Sequence, residues 1–152
     1  SKKSMEYFDP DDNSTYIPYV IEPSLGVNRL LLAILSSAYD KEVLENGEER
    51  EVLRFTNEMA PIKIAVLPLT NKLKDESYEI YELLNKHFMV QYDTSGAIGR
   101  RYRRQDAIGT PYCVTFDFDS LDDKKVTVRM RDSMEQERVS IDNLVSYFRE
   151  KF

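Results

Sequence analysis

The sequence predicts an α/β fold, a mixed sheet with helices on its faces in the order β-α-β-α-β-β-α, preceded by a β-hairpin and a helix. Three observations carry this. Ile62–Pro68 is a β-rich apolar run of the kind that fills a strand buried on both faces. Tyr112–Phe118 alternates and is rich in β-branched and aromatic residues. Three stretches carry apolar residues at helical spacing: Val27, Leu30, Leu31, Ile34, Leu35 and Ala38; then Ile80, Leu83 and Leu84; then Ile141, Leu144, Val145 and Phe148.

The elements follow in order. Residues 2–8 and 15–22 read as two strands of a hairpin, because Asp9-Pro10-Asp11-Asp12-Asn13-Ser14 between them is a strong turn cluster. Glu22-Pro23-Ser24-Leu25-Gly26 ends the second strand, and a helix begins near Val27. That helix fades in the charged stretch Asp40–Arg50, where Asn46-Gly47 marks a turn. Residues 51–60 have no clear period and read as a connector, which puts the boundary between two domains at 1–55 and 56–152. Beyond it come a strand at 62–68, a helix at Asp75–His87, a short strand at Phe88–Tyr92 and a helix across Gly99–Ile108. After the Gly109-Thr110-Pro111 break, a strand at Tyr112–Phe118, a turn at Asp119–Lys125 and a strand at Val126–Arg131 form a hairpin. A helix over Ser140–Phe152, with Ser140 at its N-cap, completes the unit.

Composition narrows the class of function. The chain has 152 residues, 32% charged and 41% hydrophobic, enough for one domain with a core plus part of another. No apolar run approaches the ~20 residues that span a bilayer, and no apolar segment follows the N-terminal Ser-Lys-Lys-Ser-Met-Glu as a secretory signal requires. A single cysteine, Cys113, excludes an internal disulfide and suits a reducing cytoplasm. No Ser-His-Asp set, Walker loop or Cys/His metal spacing is present. His87 stands alone at a helix end, and Cys113 sits in a strand as inert packing. A position 1 other than Met suggests a processed or excised piece.

Against a net charge of -6, four arginines and a tyrosine occupy the five residues Arg100–Arg104. Ahead of them runs Asp93-Thr94-Ser95-Gly96-Ala97-Ile98-Gly99, a glycine-bearing loop that enters a helix N-terminus. Loop amides and a helix N-terminus together suit an anion, and planar guanidinium groups suit phosphodiesters and unpaired bases. The same residues also fit a solvated basic helix face paired with Asp93 and Asp106. Glu22 to Arg29 delivers a carboxylate, a hydroxyl, a glycine turn and a first-turn arginine, which suits a metal-bound phosphate or an amino acid; it fits a plain strand end with a helix cap equally well. Arg129–Gln136 ends a strand in a polar loop, either a functional segment or a hairpin end with paired charges.

As a set, these blocks resemble glycyl-tRNA synthetase of the homodimeric class II type. Tyr16–Arg29 is similar to its third class II signature, and Ala60–Leu69 to the opening of its C-terminal anticodon-binding domain. Asp93–Gly109 and Arg131-Asp132-Ser133-Met134-Glu135-Gln136 are similar to two later blocks of that domain. The match is collinear and covers essentially the whole chain. The resemblance implies a mixed-sheet anticodon-binding domain at 56–152 behind the remnant of a class II catalytic domain at 1–55. It implies that Arg29 meets the ATP γ-phosphate, that Glu22 sits on the ATP and magnesium side, and that Ser24 lies beside bound glycine. Ser95, Gly99, Arg100, Arg101, Tyr102, Arg104, Arg131 and Ser133 are implied to face the anticodon arm.

The resemblance further implies a cytoplasmic homodimer that uses ATP and magnesium to ligate glycine to its tRNA, with no membrane or DNA partner. The family's first two signatures should precede Ser1, so the chain alone is expected not to form glycyl-adenylate, which pyrophosphate exchange would test. A synthetase-like accessory or protein-interaction subunit without aminoacylation is the alternative; retention of Glu22, Ser24 and Arg29 favours the synthetase.

Overall fold

The computed structural model describes residues 3–152. It divides into two compact units, Ser1–Leu32 and Ala33–Phe152.

The first unit holds a short antiparallel hairpin of β1 (Tyr7–Asp9) and β2 (Ser14–Tyr16), with Tyr7 opposite Tyr16. Its turn closes as the residues dictate: Asp9 Oδ1 accepts the Asp11 amide at 3.0 Å, and Asp12 Oδ1 accepts the Ser14 amide at 2.8 Å. Both strands are shorter than the expected 2–8 and 15–22, and the expected start at Lys2 lies outside the described residues. Helix α1 (Val27–Ala38) starts where its apolar spacing predicts, and Gly26 O accepts the Leu30 amide at 3.0 Å.

The second unit begins with the last turns of α1, where Ile34 and Ala38 pack on Leu53, Phe55 and Ala60. Strands β3 (Tyr39–Val43) and β4 (Glu49–Leu53) follow as an antiparallel hairpin. This corrects the sequence reading, which fades a helix through 40–50 and runs a connector through 51–60. The turn at Asn46-Gly47 is where it was expected, with Gly47 at φ 81°. The strands escaped detection because the buried positions of β4 are Arg50 and Val52. An arginine on the inward face erases the apolar alternation that marks a half-buried strand.

The main sheet contains β5 (Ile64–Pro68), β6 (Val90–Tyr92), β7 (Tyr112–Phe116), β8 (Lys125–Met130) and β9 (Gln136–Ser140) in the order β6-β5-β7-β8-β9. Strands β6, β5 and β7 are parallel, and β7, β8 and β9 antiparallel, so the sheet is mixed as expected. Between the strands lie α2 (Lys74–Asn85), α3 (Ile98–Ile108) and α4 (Asp119–Asp123), with α5 (Leu144–Arg149) last. Two elements add to the expected order. A short helix, α4, replaces part of the turn at 119–125, and β9 takes the last residue of the polar loop Arg129–Gln136, the unassigned residues 137–139 and the first residue of the expected helix Ser140–Phe152. Strand β9 is an edge strand whose first three residues, Gln136-Glu137-Arg138, are exposed, so it carries no apolar signal.

Every residue of β5 and β7 is buried, because both faces of the sheet are covered. Ile64, Val66, Val114 and Phe116 point to one face and pack with Ile80 and Leu84 of α2 and Leu144 and Phe148 of α5. Ala65, Leu67 and Cys113 point to the other and meet Ile98 and Tyr102 of α3. The period of two thus assigns α3 its own side of the sheet, with the small Ala65 and Cys113 beneath it.

Candidate nucleic-acid interface

Helix α3 carries the basic cluster, and its packing decides what each arginine does. Tyr102 lies on the sheet side, its hydroxyl 2.6 Å from Thr115 Oγ1. Burial raises its phenol pKa above the ordinary value, although the Thr115 hydrogen bond works against this, so the ring stays neutral at pH 7. The guanidinium of Arg129 lies 4.8 Å from the centre of that ring. Strand parity puts it there: Val126 and Val128 of β8 enter the α2/α5 core, while Thr127 and Arg129 alternate to the α3 side. Arg129 donates to both carboxylate oxygens of Asp106, at 2.9 and 3.1 Å.

A cleft of about 610 Å³ opens beside this pair. Ala97, Gly99, Arg100, Tyr102 and Arg103 form its α3 wall, and Arg129, Met134 and Gln136 the opposite one. Glu48, from the β3–β4 turn, stands at its rim and pairs with Arg103 at 3.3 Å. Arg100 is exposed, and its side chain has no partner among the described residues. A Cβ added to Gly99 would meet nothing within 4 Å. Packing therefore gives no reason for glycine in this first helical turn, where it costs about 1 kcal/mol relative to alanine. The N-cap residue Ala97 makes no side-chain cap, and its carbonyl accepts the Arg100 amide at 3.0 Å and the Arg101 amide at 3.2 Å.

The loop ahead of α3 is braced from below. Asp93 Oδ1 accepts the Ser95 amide at 2.8 Å, and Gly96 turns the chain at φ 80°. Burial would push the Asp93 carboxyl up, but the Ser95 amide and the Arg104 guanidinium hold it below the usual carboxylate range. Arg104 donates to Asp93 Oδ2 through Nε at 3.1 Å and Nη2 at 2.6 Å.

The expected RNA-facing residues thus part company. Gly99, Arg100 and Tyr102 converge on the cleft. Ser95 is exposed on the loop, and Arg104 is exposed but occupied with Asp93. Arg101 is buried, its guanidinium donating to the carbonyls of Gly96 and Pro68. Arg131 is buried as well, donating to Gly109 O at 2.9 Å, Phe55 O at 2.8 Å and the Asp132 carboxylate. These two side chains hold the backbone and present no open charge. Ser133 is exposed, and its hydroxyl accepts the Glu135 amide at 3.2 Å. Of the other lining residues, Arg103 stands in the basic cluster and Arg129, Met134 and Gln136 in the segment Arg129–Gln136, but none of the four is among the residues implied to face the anticodon arm, and Glu48 lies outside every block. Arg129 left a further signal, a cation within the apolar alternation of β8.

In the first unit, Glu22, Ser24 and Arg29 are all exposed, and none makes a side-chain hydrogen bond or ion pair among the described residues. Also among these residues, no three His, Cys, Asp or Glu side chains gather to hold a metal ion, and no helix is long and apolar enough to cross a membrane. Cys113 is fully buried in β7, and burial pushes its thiol up to about 12.

A mixed sheet with helices on both faces and a basic cleft beside one of them defines an α/β domain, and residues 63–151 match the anticodon binding domain family, to which the chain belongs. Solved structures agree. The RNA binding domain of threonyl-tRNA synthetase from Cryptosporidium parvum superposes with a TM-score of 0.55 at 28% identity, covering 60% of this chain and 24% of that one. Prolyl-tRNA synthetase from the same organism, at 20% identity, TM-score 0.59 and coverage of 64% and 22%, shares the fold. More specifically, the chain is 62% identical over its whole length to glycine–tRNA ligase of Acetivibrio thermocellus and 55% identical to that of Ruminiclostridium cellulolyticum. It spans about a third of the length of these curated relatives.

Proposed function

We propose that this chain reads the anticodon of a glycine tRNA as part of a glycine–tRNA ligase. The end-to-end 62% identity to such a ligase carries the proposal, and the α3 cleft supports it. Unpaired anticodon bases are read by stacking and by hydrogen bonds to their edges. The cleft supplies the half-buried Tyr102 ring for stacking, Gln136 for a base edge, and Arg100 and Arg103 for the phosphodiester. In this reading residues 1–55 belong with the catalytic part and 56–152 with the anticodon-binding part. The whole enzyme ligates glycine to its tRNA at the expense of ATP, as a cytoplasmic homodimer. The exposed, unpaired side chains of Arg29 and Glu22 are free to meet ATP and its magnesium, and Ser24 the amino acid.

The test is a titration of the purified protein with glycine tRNA and with the same tRNA carrying a changed anticodon, at two salt concentrations. The expected result is a clear preference for the unchanged anticodon. Equal and strongly salt-sensitive binding to both would reduce the cleft to a patch of charge and overturn the reading.

A further inference from the structure

The wall of the cleft extends beyond the segment that matches the family. Asp106, which anchors Arg129 beside Tyr102, also accepts a hydrogen bond at 2.8 Å from Nε of Arg50 on β4. Arg50 and Asp106 have no exposed side-chain surface, and Arg129 is 5% exposed. One carboxylate between two guanidinium groups leaves an excess positive charge in a dry site, which is costly unless balanced. The balance comes from the same hairpin: Glu42 on β3 accepts from Arg50 Nη1, while Nη2 donates to the carbonyl of Arg131. Arg50 is therefore fixed at three points, on α3, on β3 and just beyond β8. Its pKa follows: burial would lower it, but the bonds to Asp106 and Glu42 outweigh that and raise it. The turn of this hairpin also reaches the rim, through Glu48 and Arg103.

A hairpin needed only as a brace is served as well or better by buried apolar side chains, because desolvation offsets much of what a buried ion pair gains. What the ionic set adds is orientation, since a forked guanidinium held at several acceptors has one geometry. We propose that Arg50 and Asp106 are positioning residues of the RNA-reading cleft: together they hold the Arg129 guanidinium over the Tyr102 ring, so that this wall of the cleft keeps one shape for an unpaired base. The inference rests on the anticodon-reading function proposed above and makes the β3–β4 hairpin part of the reading apparatus.

The experiment compares the wild type with Arg50→Lys, Glu42→Gln and a control on the same hairpin, Lys41→Ala, whose partner is the exposed Glu49. For each, the anticodon preference, the salt slope of tRNA binding and the melting temperature are measured. Arg50→Lys keeps the charge but cannot span three acceptors. Its preference should fall by about tenfold, the order of one misplaced base contact, while its salt slope stays unchanged. Glu42→Gln should lose preference in the same direction by less, and it decides the matter if Arg50→Lys does not fold. Lys41→Ala should match the wild type. Folded variants that melt earlier yet keep the wild-type preference would overturn the inference, as would an equal loss in Lys41→Ala. A wild type without preference overturns the parent reading instead, and is seen separately.

Discussion

Arg101 donates two hydrogen bonds to one carbonyl, that of Gly96, from Nε at 3.0 Å and Nη2 at 2.7 Å. Its remaining terminal nitrogen donates to Pro68 O at the end of β5. The arginine at the centre of the basic cluster thus ties the glycine loop to the sheet. Arg101→Ala should destabilise the fold by about 1–3 kcal/mol, the usual cost of orphaning buried acceptors, and leave the salt slope of RNA binding intact. Its exposed neighbour behaves the other way: Arg100→Ala should change stability by less than about 0.5 kcal/mol and lower the salt slope by about one. Melting curves and salt titrations of the two variants check both halves.

Gly99 makes a prediction with opposite signs in two assays. Its helical position tolerates a Cβ, which would stand in open space. Gly99→Ala should therefore stabilise the protein by roughly 0.5–1 kcal/mol. The same methyl group enters the cleft and should weaken tRNA binding. A variant that is more stable and binds equally well would remove Gly99 from the interface.

Gly109 caps α3 at φ 82°, and a Cβ there would lie 2.5 Å from Phe55 Cδ2 and 2.8 Å from Leu53 O. Left-handed strain alone costs a residue with a side chain about 1–2 kcal/mol, and the backbone contact cannot be relieved by a rotamer change. Gly109→Ala should destabilise by about 2–4 kcal/mol, as denaturant melts would measure. Gly96→Ala, also left-handed but with open space around it, should lose only the strain.

Acid should expose the Asp93 brace. Its pKa is lower folded than unfolded, so the folded state binds fewer protons and stability rises with pH across this window. The contribution is complete above the ordinary carboxylate value of about 3.9 and disappears as pH falls through the folded value. The stability gap between wild type and Asp93→Asn should be widest at neutral pH and close below about pH 4. A gap that stays constant down to pH 3 would contradict the assignment.

Local signals carried much of the architecture. The all-buried strand β5 announced itself as an apolar run, β7 as a β-branched and aromatic one, and α2 and α5 by apolar spacing. The Asn46-Gly47 turn was legible although its strands were not, because a type of turn depends on two residues and a strand face on its partners. The hairpin and β9 stayed hidden for related reasons: an arginine, Arg50, holds one of the two buried positions of β4, and Gln136–Arg138 at the start of β9 are polar or charged, so neither strand carries an apolar alternation.

The sequence by itself determined that a basic, glycine-led helix stands on a mixed sheet, and that its blocks belong to an anticodon-binding domain. Only the tertiary structure decided which cations are free. Arg100 and Arg101 are adjacent in sequence, and one faces water while the other reaches a carbonyl 33 residues away at Pro68. A guanidinium can be solvated, paired or anchored to backbone with equal local propensity. The choice depends on acceptors that distant strands bring within hydrogen-bond distance, and these exist only once the chain has folded.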